Sequence, residues 1–383
     1  MPTLESITIK GFKSIRDVTV ELRDINVLIG ANGSGKSNFL EIFSFLRTIH
    51  ASRLSEQLVD EALALRQYIA RGGGASRLLH FGPKFTENVE IGIKFDRSAE
   101  YSILMDYTDA DTLSINRISA RYSLAPSNEM LSEDAPSVRK NIPGTGSLEI
   151  LSHDDAFHRL LSSWRLYHFH DTSRSAPIKK TANLHDNRYL RADGSNLAAF
   201  LYLLREKHQD SYRFLRNTIR LVAPFFDDFI LEPLALNPDT IRLEWKHVGT
   251  DAYFDVSSLS DGTLRFIALA TLLQQPVELR PSVILLDEPE LGLHPLAITM
   301  LASMVKSASV ETQVILATQS PILLDHFEPE DVLVADREDG ATKFPRLNSD
   351  DLAIWLKDYS IGELWEQNEF GGRPASERQI PGR

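Results

Sequence analysis

The 383-residue sequence contains no cysteine, which excludes disulfide bonds and thiolate metal sites. It has no apolar run near the roughly 18 residues that a membrane span needs. Residues 1–14 lack the basic segment and apolar stretch of a signal peptide. Sustained heptads and internal repeats are also absent, which excludes a long coiled coil and a repeat architecture. We therefore expect a globular, cytoplasmic protein without a membrane partner.

Acidic residues outnumber basic residues, and the net charge of −12 argues against a surface that binds polyanions indiscriminately. The charge is unevenly spread, however. Residues 159–220 contain twelve Lys or Arg and five Asp or Glu, a net charge of +7 that leaves −19 for the rest of the chain. We interpret this basic segment either as a solvated helical surface or as a face for DNA, RNA or an acidic partner.

Apolar spacing predicts an α/β fold. Strands are predicted at residues 7–9, 18–22, 26–30, 89–95, 101–107, 113–124, 229–236, 240–245, 282–286, 313–317 and 331–335. Helices are predicted at residues 39–49, 195–222, 262–274 and 295–307. The early strands alternate like antiparallel strands, whereas the later alternation of helix and strand predicts a parallel sheet with helices on both faces. Glycines at 71–82 predict a flexible break, and residues 125–150 predict a surface loop.

A glycine-rich loop lies between the predicted strand at 26–30 and the helix behind it. Its residues match the P-loop pattern in full: Gly30, Ala31, Asn32, Gly33, Ser34, Gly35, Lys36 and Ser37. Glycines let backbone N–H groups point at phosphate oxygens, and the helix adds the positive end of its dipole. We expect Lys36 to reach the β- and γ-phosphates of ATP and Ser37 to coordinate Mg²⁺, with Asn38 counted in the same site.

Four apolar residues at 283–286 run into Asp287 and Glu288. Such a run is typical of a central parallel strand, and open α/β sheets bind ligands beyond the carboxyl ends of their strands. We expect Asp287 to hold Mg²⁺ and Glu288 to orient or deprotonate an attacking water. Together with the P-loop, these two acids predict an ATPase.

Residues 259–263, LSDGT, open an apolar helix before these acids. They resemble the signature of ATP-binding cassette (ABC) ATPases, in the variant of the SMC, RecF and overcoming-lysogenization-defect group. The resemblance implies that Ser260 and Gly262 clasp the γ-phosphate held by a second subunit, and hence a homodimer with ATP sandwiched at its seam. Asp261 and Thr263 depart from the transporter form, LSGGQ. Because a carboxylate near phosphate is repulsive, we expect Asp261 to turn outward.

Three further segments resemble the same group. Residues 290–295 resemble the D-loop, which crosses the dimer seam, and residues 11–14, GFKS, resemble a segment near the nucleotide, which implies a role for Lys13 there. Gln319 stands where the switch histidine of the group usually follows a strand. Glutamine can donate a hydrogen bond to a γ-phosphate but cannot carry charge, so the rate of hydrolysis stays open.

The resemblance implies a P-loop NTPase fold of ABC-ATPase type, a mixed sheet with an antiparallel N-terminal lobe and a helical insertion. Residues 1–124 would form the first half of the nucleotide-binding head, and residues 125–228 a loop and a locally basic helical insertion. Residues 229–340 would form the second half of the head, and residues 341–383 a C-terminal tail.

Only about fifty residues follow Asp336, too few for a Toprim nuclease domain of ordinary size. We therefore expect a standalone ATPase, with any nuclease as a separate partner encoded nearby. Two function classes remain: an ATP-dependent sensor or clamp in DNA repair or phage defence, or a slowly hydrolysing interaction scaffold without a nucleic-acid role.

His168, His170 and Asp171 allow one other interpretation, because histidines that alternate on a strand share a face and can bind a metal ion. The alternative is a half-buried strand end whose histidines are hydrogen-bonded.

Overall fold

The computed structural model describes residues 3–51, 61–96, 99–121, 138–141, 147–150 and 154–372. The end of the strand predicted at 113–124, most of the loop predicted at 125–150 and the last part of the predicted tail lie outside these ranges. None of the described helices is long and apolar enough to cross a membrane.

The elements are numbered in chain order. The α-helices are α1 (Lys36–Ala51), α2 (Glu61–Gly72), α3 (Asp154–Ser163), α4 (Leu197–Lys207), α5 (Gln209–Val222), α6 (Asp261–Gln274), α7 (Pro295–Ser309), α8 (Pro321–Leu324), α9 (Ser349–Leu352) and α10 (Ile361–Gln367). The strands are β1 (Leu4–Phe12), β2 (Ile15–Glu21), β3 (Ile25–Ile29), β4 (Asn88–Phe95), β5 (Ala99–Thr108), β6 (Thr112–Arg121), β7 (Val138–Asn141), β8 (Ser147–Ile150), β9 (Arg165–Tyr167), β10 (Ala182–Asn183), β11 (Phe226–Ile230), β12 (Pro233–Leu234), β13 (Asn237–Ile241), β14 (Glu244–His247), β15 (Tyr253–Asp255), β16 (Val283–Asp287), β17 (Gln313–Ala317), β18 (Val332–Val334), β19 (Asp336–Glu338) and β20 (Ala341–Lys343).

The chain packs as two units. Unit 1 comprises Met1–Arg165, Pro329–Trp355 and Leu364–Arg383, and unit 2 comprises Leu166–Glu328 and Leu356–Glu363.

An antiparallel sheet with the strand order β2-β1-β4-β5-β6 dominates unit 1. Ile7 and Ile9 of β1 lie opposite Ile93 and Ile91 of β4. All four side chains are buried, because alternate residues of a strand point to the same face of the sheet. The predicted antiparallel N-terminal strands are therefore confirmed.

A second part of unit 1 carries the glycine-rich loop. Strand β3 is buried along its whole length and pairs in parallel with β18. Helix α1 follows it and buries Phe39, whose ring centroid lies 4.9 Å from that of Phe344. Residues just after 340 thus contribute side chains to the core of unit 1.

In unit 2, β16 and β17 pair in parallel, with Asp287 beside Ala317. Residues 283–286 and all of β17 are buried, as expected for strands covered on both faces. Helix α6 is buried along most of its length and packs against α7. The predicted alternation of helix and strand in this region is confirmed.

The single helix predicted at 195–222 is wrong, because α4 and α5 are separated at His208, which has φ −133° and ψ 56°. The apolar positions keep helical spacing across this break, from Leu204 to Tyr212 and Leu215. Periodicity alone therefore could not reveal it.

Other segments differ from the predictions as well. The strands predicted at 229–236 and 240–245 are each divided between two short strands, β11 to β14. The predicted loop at 125–150 contains the antiparallel pair β7 and β8, whose apolar and polar alternation in 147–150 is hidden by flanking Pro, Ser and Gly. The predicted break at 71–82 is anchored, since the Lys13 N–H donates to the Leu78 carbonyl at 2.7 Å.

Candidate functional site

The phosphate loop, residues 30–37, runs from the end of β3 into the first turn of α1. Its glycines have φ angles of 144° at Gly30, 79° at Gly33 and 113° at Gly35, a region that residues with a side chain rarely adopt. A Cβ atom at Gly35 would also overlap the hydroxyl of Thr342. The loop therefore requires glycine for its conformation and for its close neighbours.

Two polar side chains of this loop are buried. The Lys36 ammonium donates to the carbonyl oxygens of Gly30 and Ala31, at 2.6 and 3.1 Å. The Ser34 hydroxyl is buried without a hydrogen-bond partner among the described residues. Unsatisfied buried hydroxyls are rare and cost stability, whereas loop N–H groups, a lysine and a helix N-terminus are the groups that bind phosphate. The loop thus fits a phosphate group.

A layer of polar residues supports the loop within unit 1. The buried Thr342 hydroxyl lies 2.8 Å from both the Ser34 carbonyl oxygen and the Ser14 hydroxyl. The Asn38 side-chain amide donates to the same Ser14 hydroxyl, also at 2.8 Å. Asn38 therefore connects the first turn of α1 to the GFKS segment. No sequence pattern marks Thr342, which lies 308 residues from Ser34.

Lys13 belongs to unit 1 as well and adopts φ 49° in the tight turn between β1 and β2. Its ammonium forms an ion pair with Glu41 of α1. The other carboxylate oxygen of Glu41 accepts a hydrogen bond from the Tyr68 hydroxyl at 2.7 Å. The charge of Lys13 is thus compensated by a residue of the helix that the phosphate loop opens.

Asp287 and Glu288 of unit 2 lie at the carboxyl end of β16, next to the carboxyl end of the parallel strand β17. Asp287 ends β16, and Glu288 follows with φ 44°, a strained conformation for a residue with a side chain. The Glu288 N–H donates to the Ala317 carbonyl at 2.8 Å, and the Gln319 side-chain amide donates to the Glu288 carboxylate. Strained backbone of this kind is concentrated at active sites. The structure thus brings together two of the predicted catalytic residues.

Glu290 contacts the same segment after β17. Its Oε1 accepts hydrogen bonds from the Thr318 hydroxyl at 2.6 Å and from the Gln319 N–H at 3.2 Å. Its Oε2 is buried and has no partner among the described residues. Burial raises the pKa of the Glu290 carboxyl, although these hydrogen bonds oppose the shift. We refer to Glu288, Glu290, Thr318 and Gln319 as the acid cluster.

His168 and His170 follow β9, which lies next to β16. The His170 Nε2 lies 2.8 Å from the Asp287 carbonyl oxygen, and burial lowers the pKa of His168. The Asp171 carboxylate accepts a hydrogen bond from the Ser173 N–H. Across the described ranges, no group of three or more His, Cys, Asp or Glu is arranged to hold a metal ion. The hydrogen bond of His170 favours the alternative interpretation, a hydrogen-bonded strand end.

Ser260 caps helix α6, with its hydroxyl accepting the Thr263 N–H at 3.1 Å. The Asp261 carboxylate, 60% exposed, lies 3.3 Å from the Lys179 ammonium, which is only 8% exposed. The hydrogen bond with Lys179 lowers the pKa of Asp261. Lys179 also donates to the Thr172 carbonyl at 2.5 Å. Asp261 thus has a cationic partner that lies 82 residues earlier and that no motif indicated.

Helix α6 packs directly on the predicted D-loop, residues 290–295. A Cβ atom at Gly262 would overlap the carbonyl oxygen of Gly292, so this close approach requires glycine at 262. One turn further along α6, Arg265 donates to the Leu291 carbonyl at 2.8 Å. The signature turn and the D-loop therefore form one local structure.

The predicted site residues divide between the two units. Unit 1 holds Lys13 and residues 30–38, and unit 2 holds Ser260, Gly262, Asp287, Glu288 and Gln319. The motifs did not identify the contact of Glu290 with Thr318 or that of Lys179 with Asp261, because the two partners in each case come from different parts of the chain.

Comparison with known proteins identifies similar sequences. Residues 25–325 match the model of the AAA_21 family, described as "AAA domain, putative AbiEii toxin, Type IV TA system". The DNA replication and repair protein RecF of Pseudomonas putida is 25% identical over 245 residues, a match that covers 62% of this chain and 60% of RecF. The chain thus spans less than two thirds of the length of this curated relative.

Two solved structures share the fold. The crystal structure of an Smc head bound to the C-terminal winged-helix domain of ScpA has a TM-score of 0.59 at 17% identity, covering 91% of this chain and 99% of that one. An Smc head with an extended coiled coil, derived from Pyrococcus furiosus and bound to the C-terminal domain of ScpA, has a TM-score of 0.59 at 16% identity, covering 94% and 99%. At such identities the likeness shows the fold alone.

The family model covers most of the chain, including the phosphate loop, the signature turn and the acid cluster. The fold agrees with it, since it is that of the Smc heads. The chain therefore belongs to the AAA_21 family and is a P-loop ATPase of the ATP-binding cassette type, similar in sequence to RecF and in fold to the Smc heads.

Proposed function

We propose that this chain hydrolyses ATP as a homodimer, with the phosphate loop binding the triphosphate and Glu288 handling the attacking water. The end of β16 carries the proposal. There the strained backbone of Glu288 is held by Ala317, and its carboxylate is held by Gln319. A carboxylate fixed in this way is suited to orient and deprotonate water.

Ser37 and Asp287 are the residues we assign to Mg²⁺. They offer a hydroxyl and a carboxylate oxygen, and Mg²⁺ prefers oxygen ligands. Bound Mg²⁺ would neutralise charge on the phosphates during transfer.

This chain has Gln319 at the position where the related ATPases usually have a switch histidine. Its side-chain amide donates to Glu288 and can orient that carboxylate, but it cannot carry charge. We therefore propose slow turnover that depends on Glu288.

The dimer is proposed from the signature turn. Ser260 and Gly262 lie at the N-terminus of α6, and the phosphate loop of the same chain opens a different helix, α1. Two-fold symmetry lets each subunit donate its signature turn to the other. Leu291 and Leu296, 46% and 50% exposed beside this turn, support an interface there, since exposed apolar side chains are common at contacts between subunits.

A mixing experiment tests this arrangement. Lys36→Ala and Ser260→Arg are each expected to be inactive alone. Their heterodimers contain one site with both defects and one with neither, so mixing should restore part of the activity. The shared site would be refuted by wild-type protein that hydrolyses ATP as a strict monomer. An inactive mixture despite demonstrated subunit exchange would count against two independent, shared sites.

We further propose that the ATPase acts as a sensor or clamp on DNA, in repair or phage defence, together with a separate nuclease. The RecF relatives are named for DNA replication and repair, and the family description names a toxin. Four exposed basic residues of segment 159–220 form no ion pair with a described residue: Arg174, Lys180, Arg188 and Lys207. These are the candidates for phosphate contacts.

A scaffold without a nucleic-acid role is the second candidate. Much of the basic segment is neutralised, as in the ion pairs of Arg191 with Asp186, Arg216 with Asp228 and Arg220 with Asp227. Salt-dependent DNA binding separates the two functions, because each phosphate contact releases counterions. Charge reversal at Lys180 and Arg188 should weaken DNA binding and leave ATP hydrolysis unchanged. No binding of DNA or RNA at low salt with ATP present would favour the scaffold.

A further inference from the structure

Glu290 connects the segment that follows β16 to the segment that follows β17, at a point where the two strands are no longer paired. Parallel pairing of β16 with β17 ends at Asp287 and Ala317, and the Glu288 N–H adds one more bond to Ala317. Beyond that point, the Glu290 Oε1 holds the Thr318 hydroxyl at 2.6 Å and the Gln319 N–H at 3.2 Å. The Gln319 backbone thus donates to Glu290, while the Gln319 side chain donates to Glu288.

The Thr318 side chain strengthens this arrangement. Its hydroxyl donates to Glu290 and accepts the Ser320 N–H at 3.0 Å, and the residue is fully buried. Both functions of the hydroxyl are therefore used, which fixes its rotamer. Three consecutive residues, 318–320, are held through a single carboxylate oxygen.

Burial of the Glu290 carboxyl group at this position is energetically unfavourable. It lies in the same cluster as the Glu288 carboxylate, and its Oε2 is buried without a partner among the described residues. Burying a polar atom without a hydrogen bond is unfavourable, and an apolar side chain of similar size would avoid that cost. A role in packing alone therefore does not account for a glutamate at 290.

We infer that Glu290 is a positioning residue for hydrolysis: it fixes the segment after β17 so that the Gln319 amide meets the Glu288 carboxylate. The inference rests on the proposed function of Glu288. Glu290 acts through Gln319 and does not itself contact the water.

Two substitutions at 290 test the inference. Glu290→Ala removes both hydrogen bonds and should lower kcat on the order of 10–100-fold, since small displacements in an active site have effects of this size. The KM for ATP should change little, because the phosphate loop is supported by Thr342 and by the bond between Asn38 and Ser14. Glu290→Gln keeps an acceptor at Oε1 and should retain kcat within about threefold of wild type. Equal losses in the two variants would overturn the inference.

A double substitution separates positioning from a merely structural role. Gln319→Ala alone should lower kcat about as much as Glu290→Ala, and the double variant should be no slower than either one. Multiplied losses would show that Glu290 acts independently of Gln319 and would overturn the inference. Asp325→Ala is the control, since it removes a carboxylate that accepts the Gly362 N–H at 2.6 Å in the same unit. It should lower the melting temperature and leave kcat unchanged.

The same assays distinguish this inference from the proposed function. Wild-type turnover in Glu288→Gln would refute the role of Glu288 itself. A strong loss in Glu288→Gln combined with wild-type kcat in Glu290→Ala would refute the positioning role alone.

Discussion

The phosphate loop and the acid cluster are built in different ways. The loop is one contiguous segment, and its form comes from backbone conformation, with three glycines at positive φ. The acid cluster joins two segments about thirty residues apart through side chains, as in the bond between Gln319 and Glu288. Its only strained backbone among the described residues is at Glu288.

This difference determines how each site responds to substitution. Loss of the loop lysine removes a buried charge that no neighbouring side chain of the loop can replace. In the acid cluster, a side chain that keeps the same donor or acceptor preserves part of the geometry. Substitutions in the phosphate loop should therefore weaken ATP binding, and substitutions in the acid cluster should lower the rate of hydrolysis.

The largest effect is expected at the phosphate loop. Lys36→Ala removes the ammonium that we assign to the phosphates, and loss of one partner of a buried charged contact costs about 2–5 kcal/mol. ATP affinity should fall on the order of 100-fold or more, to a level that a titration of the purified variant does not detect. Lys343→Ala, an exposed lysine of the same unit paired with Glu338, should bind ATP normally. Unchanged affinity in Lys36→Ala would refute the assignment of the loop.

The next largest effect is expected at Glu288, and it concerns the rate of ATP hydrolysis alone. Glu288→Gln keeps the size of the side chain but cannot accept a proton, so kcat should fall about 10²–10⁴-fold with ATP affinity preserved. Steady-state hydrolysis and nucleotide titration measure the two separately. The exposed Glu278, also in unit 2, provides the control Glu278→Gln. If Glu288→Gln also lost ATP binding, the contrast between a binding loop and a rate-determining cluster would not hold.

A smaller effect is expected at the signature turn. Lys179→Ala removes the ion-pair partner of the Asp261 carboxylate where we propose that a phosphate of the second subunit binds. Hydrolysis should fall by up to about fivefold, since Asp261 is exposed and ion pairs in contact with solvent contribute about 0.2–1 kcal/mol. The double variant Lys179→Ala with Asp261→Asn should recover the lost activity, because no negative charge remains to repel phosphate. A double variant as slow as Lys179→Ala would show that Lys179 acts through its bond to Thr172 instead.

The smallest effect is expected at the switch position. Gln319→His retains a ring N–H that can donate to Glu288 and adds a group that can carry charge. Hydrolysis should be equal to or a few-fold faster than that of wild type, about threefold at most. Initial rates at saturating ATP measure this change. A clear loss of activity would mean that this cluster specifically requires an amide.

Much of the fold could be predicted from local patterns. Alternation at Ile7 and Ile9 predicts a strand with one buried face, and the four apolar residues before Asp287 predict a strand buried on both. The break at His208 could not be predicted, because the apolar spacing continues through it. The short strand β12 was merged with its neighbour β11, since its two residues give too little periodicity.

The candidate site also has parts that could be predicted from the sequence and parts that could not. The phosphate loop, the acids at 287 and 288 and the signature turn are each contiguous, so the sequence by itself determined their positions and the chemistry of their groups. Tertiary structure decided that Glu290 holds Thr318 and Gln319, that Lys179 neutralises Asp261, and that Thr342 supports the loop. The physical reason is that a hydrogen bond or an ion pair requires two groups to meet, and when those groups lie tens or hundreds of residues apart, only the folded backbone brings them within bonding distance.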